Sequence, residues 1–235
     1  MELLLIGTDT PHRRFIINKI LDAGHNLTSC IFSKSKVKPK FNTSSPWIKL
    51  ENTELIDLYL SETRGDLDRL KNVLYPDELG LNKPSVKQQI ENADFIIISG
   101  ADLIGGDILE AILNKSMNVH MGISEEYRGL DSNLWAWYHR DYRNIGVSLH
   151  KLDRVLDTGN LFQVGYIDMK NDTKVWKLRF YEASLAVKLI SQTLNGLKTN
   201  NYAIKKQIKI GRYYSFMPNE LKKCLSITPL SNFID

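Results

Sequence analysis

The apolar residues of this chain fall into short closed runs separated by stretches of helical spacing, and that alternation predicts an α/β fold. Residues 3–6 form a continuous apolar run closed by Gly7, the pattern of a strand buried on both faces. Between residues 11 and 23, Phe15, Ile16, Ile20 and Leu21 recur at helical spacing, with Pro11 tolerated in the first turn and Gly24 placed to cap the end. Residues 27–32 read as the next strand, and such a β-α-β opening predicts a parallel, Rossmann-like sheet. Helical spacing returns over 55–74, and a short helix over 86–93 feeds residues 94–99, the most convincing central strand. A helix through Ile108, Leu109 and Ile112 leads to a strand at 117–119, and 145–152 and 162–169 alternate as strands that extend the sheet. Over 173–197, Leu178, Ala183, Ala186, Leu189 and Ile190 mark a long helix that covers a sheet face.

The rest is irregular or set apart. Residues 33–47, rich in lysine, proline and serine, read as an exposed loop, and 76–84 as a second irregular connection. Residues 203–214 are β-like and basic, a terminal strand or hairpin outside the main sheet. The expected organisation is a core domain over 1–198 and a short C-terminal β-hairpin or tail over 199–235. There is no internal repeat.

Composition narrows the class. With 235 residues and 43% apolar content the chain can build one large core, with or without a small appendage. Its 31 basic and 27 acidic residues leave a charge of only +4, which suits an anionic small molecule better than a nucleic-acid surface. Cys30 and Cys224 lie in no metal or disulfide spacing, which points to a reducing cytosol. The first residues lack the basic region of a signal peptide and are too short to span a bilayer. A soluble cytoplasmic protein without membrane or nucleic-acid partners is therefore expected.

The candidate chemistry gathers where strands end. Residues 7–14 contain no G-x-G-x-x-G, which argues against nicotinamide or flavin, although the helix amides and Arg13 could hold a phosphate there. Residues 100–106 are small apart from Leu103 and Ile104, and form either a tight turn or a slot for a flat ring. The run 117–119 places Asn118 and His120 on one face, since residues two apart on a strand point the same way. Asp157-Thr158-Gly159 is a turn signal by itself, but the carboxylate could join them at the ligand-binding edge of an open sheet. A neutral histidine can exchange a proton with a reacting nitrogen, an aspartate beside it stabilises the charged ring, and an asparagine amide can donate to a developing oxyanion. No serine or cysteine nucleophile is required, which favours direct acyl transfer between two bound partners. Of the other histidines, His12, His25 and His139 have no comparable neighbours, and His150 lies on a predicted strand that could face the same cleft. Trp135, Trp137 and Tyr138 suit a core.

Asn118-x-His120, Tyr127-Arg128-Gly129 and Asp157-x-Gly159, in this order and on these elements, make the stretch 94–159 resemble the folate-dependent formyltransferases. Met121-Gly122 and Ser124-Glu125 resemble the branch acting on nucleotide-linked amino sugars, whereas the methionyl-tRNA and glycinamide-ribonucleotide branches usually carry proline-serine and leucine-proline there. Glu125 stands where the sugar branch often has proline. The tRNA enzymes carry a further β-rich domain, and only a short stretch follows the long helix here. The resemblance implies a Rossmann-like formyltransferase core with a catalytic set of Asn118, His120 and Asp157. The implied donor is N10-formyltetrahydrofolate, its pterin against Gly100, Leu103, Ile104, Asp153, Val155 and Asp157. A dTDP- or GDP-linked amino-dideoxy sugar of the kind used in O-antigen lipopolysaccharide is the implied acceptor, with Arg13, Tyr127, Asn133 and Trp135 as candidate contacts. No metal is expected, and an exposed apolar hairpin would invite a homodimer. Three alternatives stay open: another amine acceptor (methionyl-tRNA or glycinamide ribonucleotide), a hydrolase of the same donor, and a catalytically silent ligand-binding module.

Overall fold

Seven strands make the main sheet of the computed structural model, in the order β3-β2-β1-β4-β5-β7-β8. The structure describes residues 1–33, 38–61, 67–76, 80–101, 103–170 and 172–225. The strands are β1 (Leu3–Gly7), β2 (Leu27–Phe32), β3 (Asn72–Leu74), β4 (Phe95–Ser99), β5 (Ser116–His120), β7 (Gly146–Lys151) and β8 (Leu161–Tyr166). From β3 to β5 all neighbours are parallel; β7 then pairs antiparallel with β5, and β8 with β7. A second, parallel pair joins β6 (Tyr127–Gly129) to β9 (Arg212–Tyr214).

The helices are α1 (Pro11–Asp22), α2 (Ile48–Leu50), α3 (Ile56–Ser61), α4 (Pro84–Asn92), α5 (Gly106–Ile112), α6 (Ser132–Tyr138), α7 (Leu178–Lys198) and α8 (Asn219–Leu225). A π-helical turn, Glu51–Leu55, links α2 to α3. Among the described residues, no helix is long and apolar enough to cross a membrane.

The period-2 geometry of a strand sorts the core into two layers. Leu3, Leu5, Ile97, Met117, Val119, Val147 and Leu149 pack toward α1 and α7, with Ile16, Ile20, Ala186 and Ile190. Leu4, Ile6, Ile96 and Ile98 face the other way, onto Val86, Ile90, Ile108 and Ile112 of α4 and α5. Asn118 pairs in register with Ile98 and alternates with Met117 and Val119, so Asn118 and His120 lie on the α4–α5 face at the carboxyl end of β5. The polar pair thus begins where the apolar cover of that face stops.

The expected strands, the βαβ opening and the long helix are present, and four differences have local causes. Helical spacing was expected over 55–74, but the described part holds α3 up to Ser61, a 3-10 turn at Leu67–Arg69 and then edge strand β3, whose three residues are too few to show a period; 62–66 lie outside the described residues. Residues 38–47 are held down rather than free: Asn219 N–H donates to Asn42 O at 2.8 Å, Asn219 Nδ2 to Ser44 O at 2.8 Å and Lys222 Nζ to Thr43 O at 2.9 Å. The Tyr127–Gly129 segment, a loop by its sequence, is a strand because β9 pairs with it. No hairpin forms over the described residues after 198: Lys205 bridges Leu161 of β8, β9 joins β6, and α8 closes the stretch.

Gly7 faces Ser99 across the parallel pair at the point where strand order reverses, and an added Cβ would lie 2.4 Å from the Ser99 carbonyl oxygen. Gly7→Ala is expected to lower the urea-unfolding free energy by about 1–3 kcal/mol, because the obstacle is backbone and β1 and β4 must separate to admit the methyl. An unchanged midpoint would contradict the close approach.

Candidate active site

Antiparallel pairing of β5 with β7 sets Asn118 opposite His150 and His120 opposite Ser148. All four side chains therefore share one face, and the turn that follows β7 brings Asp157 back over them. Asp157 is buried and adopts a left-handed conformation, with φ of 57°. That conformation is tolerated by aspartate far better than by most residues.

Four nitrogens surround the Asp157 carboxylate. Oδ1 lies 3.3 Å from His150 Nε2 and accepts from Asn118 Nδ2 at 3.3 Å. Oδ2 accepts the Gly129 N–H at 2.8 Å and stands 3.5 Å from His120 Nδ1. Burial by itself would raise the carboxyl pKa, but the charges of His120 and His150, the His150 hydrogen bond and the Gly129 amide outweigh it and hold the group well below the usual 3.8. Asp157 is thus a carboxylate throughout the neutral range.

Asn118 Nδ2, His150 Nε2 and Asp157 Oδ1 form a near-equilateral triangle with sides of 3.2, 3.3 and 3.3 Å. His150 Nδ1 donates to the Lys151 carbonyl at 2.7 Å, and the protonated ring also turns its Nε2–H toward Asp157 Oδ1.

Each member of Tyr127-Arg128-Gly129 touches this group through a different atom. The Tyr127 carbonyl lies 2.8 Å from His120 Nε2, Arg128 Nη1 donates to Leu156 O at 2.8 Å, and Gly129 supplies the amide to Asp157. Gly129 has φ of 90°, and a Cβ there would lie 2.2 Å from the Tyr214 carbonyl oxygen, so both its conformation and its neighbour require glycine.

A cleft of about 750 Å³ opens onto Asn118, His120, His150 and Asp157. Its lining includes Gly100, Leu103, Ile104, Asp153, Val155 and Leu156. Leu103 and Val155 are 70% and 57% exposed, apolar surface that a flat ring could cover. The lining also includes Arg13, whose guanidinium packs against Gly100, and Trp47, Tyr59, Asp131, Arg179 and Lys222. In it Asp131 pairs with Arg179 at 3.1 Å and with Lys222 at 3.1 Å, and Arg179 with Glu182 at 3.5 Å. Arg13 has no carboxylate partner among the described residues: Nη1 donates to the Thr8 and Thr10 hydroxyls and Nε is buried without a partner. Burial and the nearby Arg179 lower its pKa to about 10.

The structure brings together Asn118, His120 and Asp157, and lines the cleft with Arg13, Gly100, Leu103, Ile104, Asp153 and Val155. Asp102, inside the predicted 100–106 turn, lies outside the described residues. Three expected acceptor contacts are otherwise engaged. Tyr127 stacks on Tyr214 and donates its hydroxyl to Asp141, and Trp135 stacks on the same Tyr214 and donates to Ser215 O, so an aromatic stack beside the cleft takes both rings. Asn133 borders the cleft, but its Nδ2 donates to Gly146 O and Glu182 and its Oδ1 accepts the Gly146 N–H, which commits the amide to the scaffold. Two residues of the network went unassigned in sequence, His150 and Gln207. Polar Ser148 and His150 alternating with apolar Val147 and Leu149 was the available signal for the first. Among the described residues no cluster of three or more metal-binding side chains occurs.

Comparison with known proteins places the chain in a family. The model of the formyl transferase family matches residues 58–194, more than half of the chain. Methionyl-tRNA formyltransferase of Finegoldia magna is 30% identical over 105 residues, 44% of this chain and 34% of that protein. The chain spans a third to under half of the length of the curated relatives it matches. A 4-N formyltransferase from Francisella tularensis superposes with a TM-score of 0.62 at 14% identity, covering 97% of this chain and 88% of that one. PseJ from Anoxybacillus kamchatkensis, solved with UDP-4,6-dideoxy-4-formamido-L-AltNAc and tetrahydrofolate, superposes with a TM-score of 0.59 at 19% identity, covering 100% and 98%. With the family model spanning 58–194, this chain belongs to the formyl transferase family.

Proposed function

We propose that the chain is an N-formyltransferase that moves the formyl group of N10-formyltetrahydrofolate to the amine of a nucleotide-linked amino-dideoxy sugar, dTDP- or GDP-linked. The observation that carries this reading is a single cleft that holds the Asn118–His120–Asp157 group together with exposed apolar surface at Leu103 and Val155 and an unbalanced guanidinium at Arg13. The Leu103–Val155 surface suits the pterin, and the Arg13 guanidinium suits an anionic acceptor. The amine attacks the formyl carbon, and as the new C–N bond forms the carbonyl oxygen becomes negative and is met by an N–H of the Asn118 amide. His120 is anchored at Nε2 by the Tyr127 carbonyl, so Nδ1 takes the proton from the attacking nitrogen and delivers it to N10 as the old C–N bond breaks. Asp157, ionised beside it, stabilises the imidazolium formed in between. Formamide and tetrahydrofolate are the products, and the proton balance closes on one histidine.

Arg13 takes a phosphate of the acceptor, for the buried guanidinium gains there the anion that the protein does not supply. The curated relatives act on methionyl-tRNA, which makes that the second acceptor to test. Incubation with N10-formyltetrahydrofolate and a panel of dTDP-, GDP- and UDP-linked amino sugars, methionyl-tRNA or water alone separates sugar transfer from tRNA formylation and formate release. Formamido sugar is the expected product; formyl-methionyl-tRNA, formate alone or no turnover would each overturn the reading.

Three outcomes are expected of variants. His120→Asn or Asp157→Asn should lower kcat by roughly two to four orders of magnitude with the fold retained, the scale of losing a positioned proton-transfer group. Arg13→Gln should raise the acceptor KM by about tenfold to a hundredfold and change kcat far less, as a charged hydrogen bond to a phosphate is lost. The third concerns pH. Because the native Asp157 pKa lies below 3.8, its ionised form stabilises the fold above that value, and the contribution is lost as pH falls through the native pKa. The gap in urea-unfolding free energy between wild type and Asp157→Asn should therefore not shrink between about pH 7 and about pH 5, and should decline below about pH 4.

A further inference from the structure

Gln207 lies beyond residues 58–194, the stretch matched by the family model, on a segment that the sequence marks only as β-like and basic. Its carboxamide is buried and every polar atom is used. Nε2 donates to the main-chain carbonyls of Asp157 at 3.0 Å and Gly159 at 2.7 Å, and Oε1 accepts the Ser124 hydroxyl at 3.2 Å. Ser124 belongs to the loop that follows His120, and its N–H is held by the Ser148 hydroxyl at 3.0 Å. Ser148 is in turn the register partner of His120. One side chain thus joins the backbone that carries Asp157 to the loop that leaves His120.

The segment bearing Gln207 is itself fixed at both ends and along its length. Lys205 and Leu161 exchange both backbone hydrogen bonds, at 2.7 and 2.9 Å. The Ile208 N–H donates to Glu125 Oε1 at 2.6 Å, Arg128 Nε donates to Gly211 O at 2.7 Å, and the Arg212 N–H donates to Glu126 O at 3.0 Å. Gly211 packs so closely that a Cβ would lie 2.5 Å from the Ser124 carbonyl oxygen. A segment held this way acts as a splint, and does not yield when the loop it braces moves.

We infer that Gln207 is the positioning residue for Asp157: it holds the Asp157–Gly159 turn in the left-handed geometry that aims the carboxylate at His120, His150 and Asn118. A residue with φ of 57° relaxes unless its surroundings fix it. The two carbonyls that flank the turn receive that restraint from one amide nitrogen. Segment 199–214 therefore completes the active site, although it lies outside the Rossmann-like core. The inference rests on the reading of Asp157 as the carboxylate that supports proton transfer by His120.

A double-mutant cycle tests it in the full chain, read as tetrahydrofolate release from N10-formyltetrahydrofolate with a dTDP-linked 4-amino-4,6-dideoxy sugar and, in parallel, with water alone. Gln207→Met keeps length and volume but removes the donor and the acceptor, and should lower kcat by about tenfold to a hundredfold. In the Asp157→Asn background the same change should alter kcat by no more than about twofold, because a residue that acts through Asp157 has nothing left to position. Gln207→Glu covers the case in which the Met variant does not fold. Its carboxylate would repel the two carbonyls and its neutral form would restore one bond, so its rate relative to wild type should be higher at about pH 5.5 than at about pH 8. Wild-type turnover in Gln207→Met, losses that multiply across the cycle, or a Gln207→Glu ratio insensitive to pH would each overturn the inference. A fully active Asp157→Asn would instead overturn the reading of Asp157 on which it rests.

Discussion

A carboxylate withdrawn from water is costly unless donors replace the water it leaves, and the burial of Asp157 imposes that requirement on every element around it. The donors come from separate parts of the chain: His120 and Asn118 from β5, His150 from β7 and the Gly129 amide from β6. None of these elements can shift alone without leaving the charge partly unpaired. The same condition that stabilises the ionised form also fixes the geometry of the proposed proton-transfer group, so electrostatics and positioning are one constraint.

The sheet makes that arrangement available at low cost. Parallel strands β1, β4 and β5 deliver their carboxyl ends to one edge, where backbone groups are free and ligands bind. The change to antiparallel pairing at β7 then sets His150 directly across from Asn118. Because side chains alternate along a strand, the apolar residues between these polar ones anchor the opposite layer on α1 and α7. Packing beneath the sheet and chemistry above it are written in alternate letters of the same strands. The cleft that results combines apolar lining at Leu103, Ile104 and Val155 with charged lining at Arg13, Asp131, Arg179 and Lys222.

Much of this was legible beforehand. Continuous apolar runs at 3–6, 27–32 and 94–99 identified the central strands because burial on both faces leaves little room for polar residues. Asn118 and His120 were readable as neighbours on one face, and Asp157 joined them through the resemblance of its motif. What could not be read were features that depend on long-range pairing. Strand β3 has three residues, β6 exists because β9 reaches it, and the pairing of His150 with Asn118 comes from a register between separate strands, although the alternation over 147–150 already placed His150 on a strand that could face the cleft. Tyr127 and Trp135 were expected at the acceptor because they neighbour the motif, yet a shared partner, Tyr214, draws both rings into a stack. Asn133 shows the same limit in another form, since the backbone of Gly146 and the Glu182 carboxylate absorb an amide that proximity alone would offer to a ligand.

The account turns on whether the buried carboxylate and its donors face the reacting carbon. A crystal structure with the unreactive isomer 5-formyltetrahydrofolate measures this most directly. The account requires the pterin between Leu103 and Val155, and N10, the atom that carries the transferred group, turned toward Asn118 Nδ2 and His120 at the distance one formyl group spans. A folate bound elsewhere, or an N10 turned away from both side chains, would contradict it.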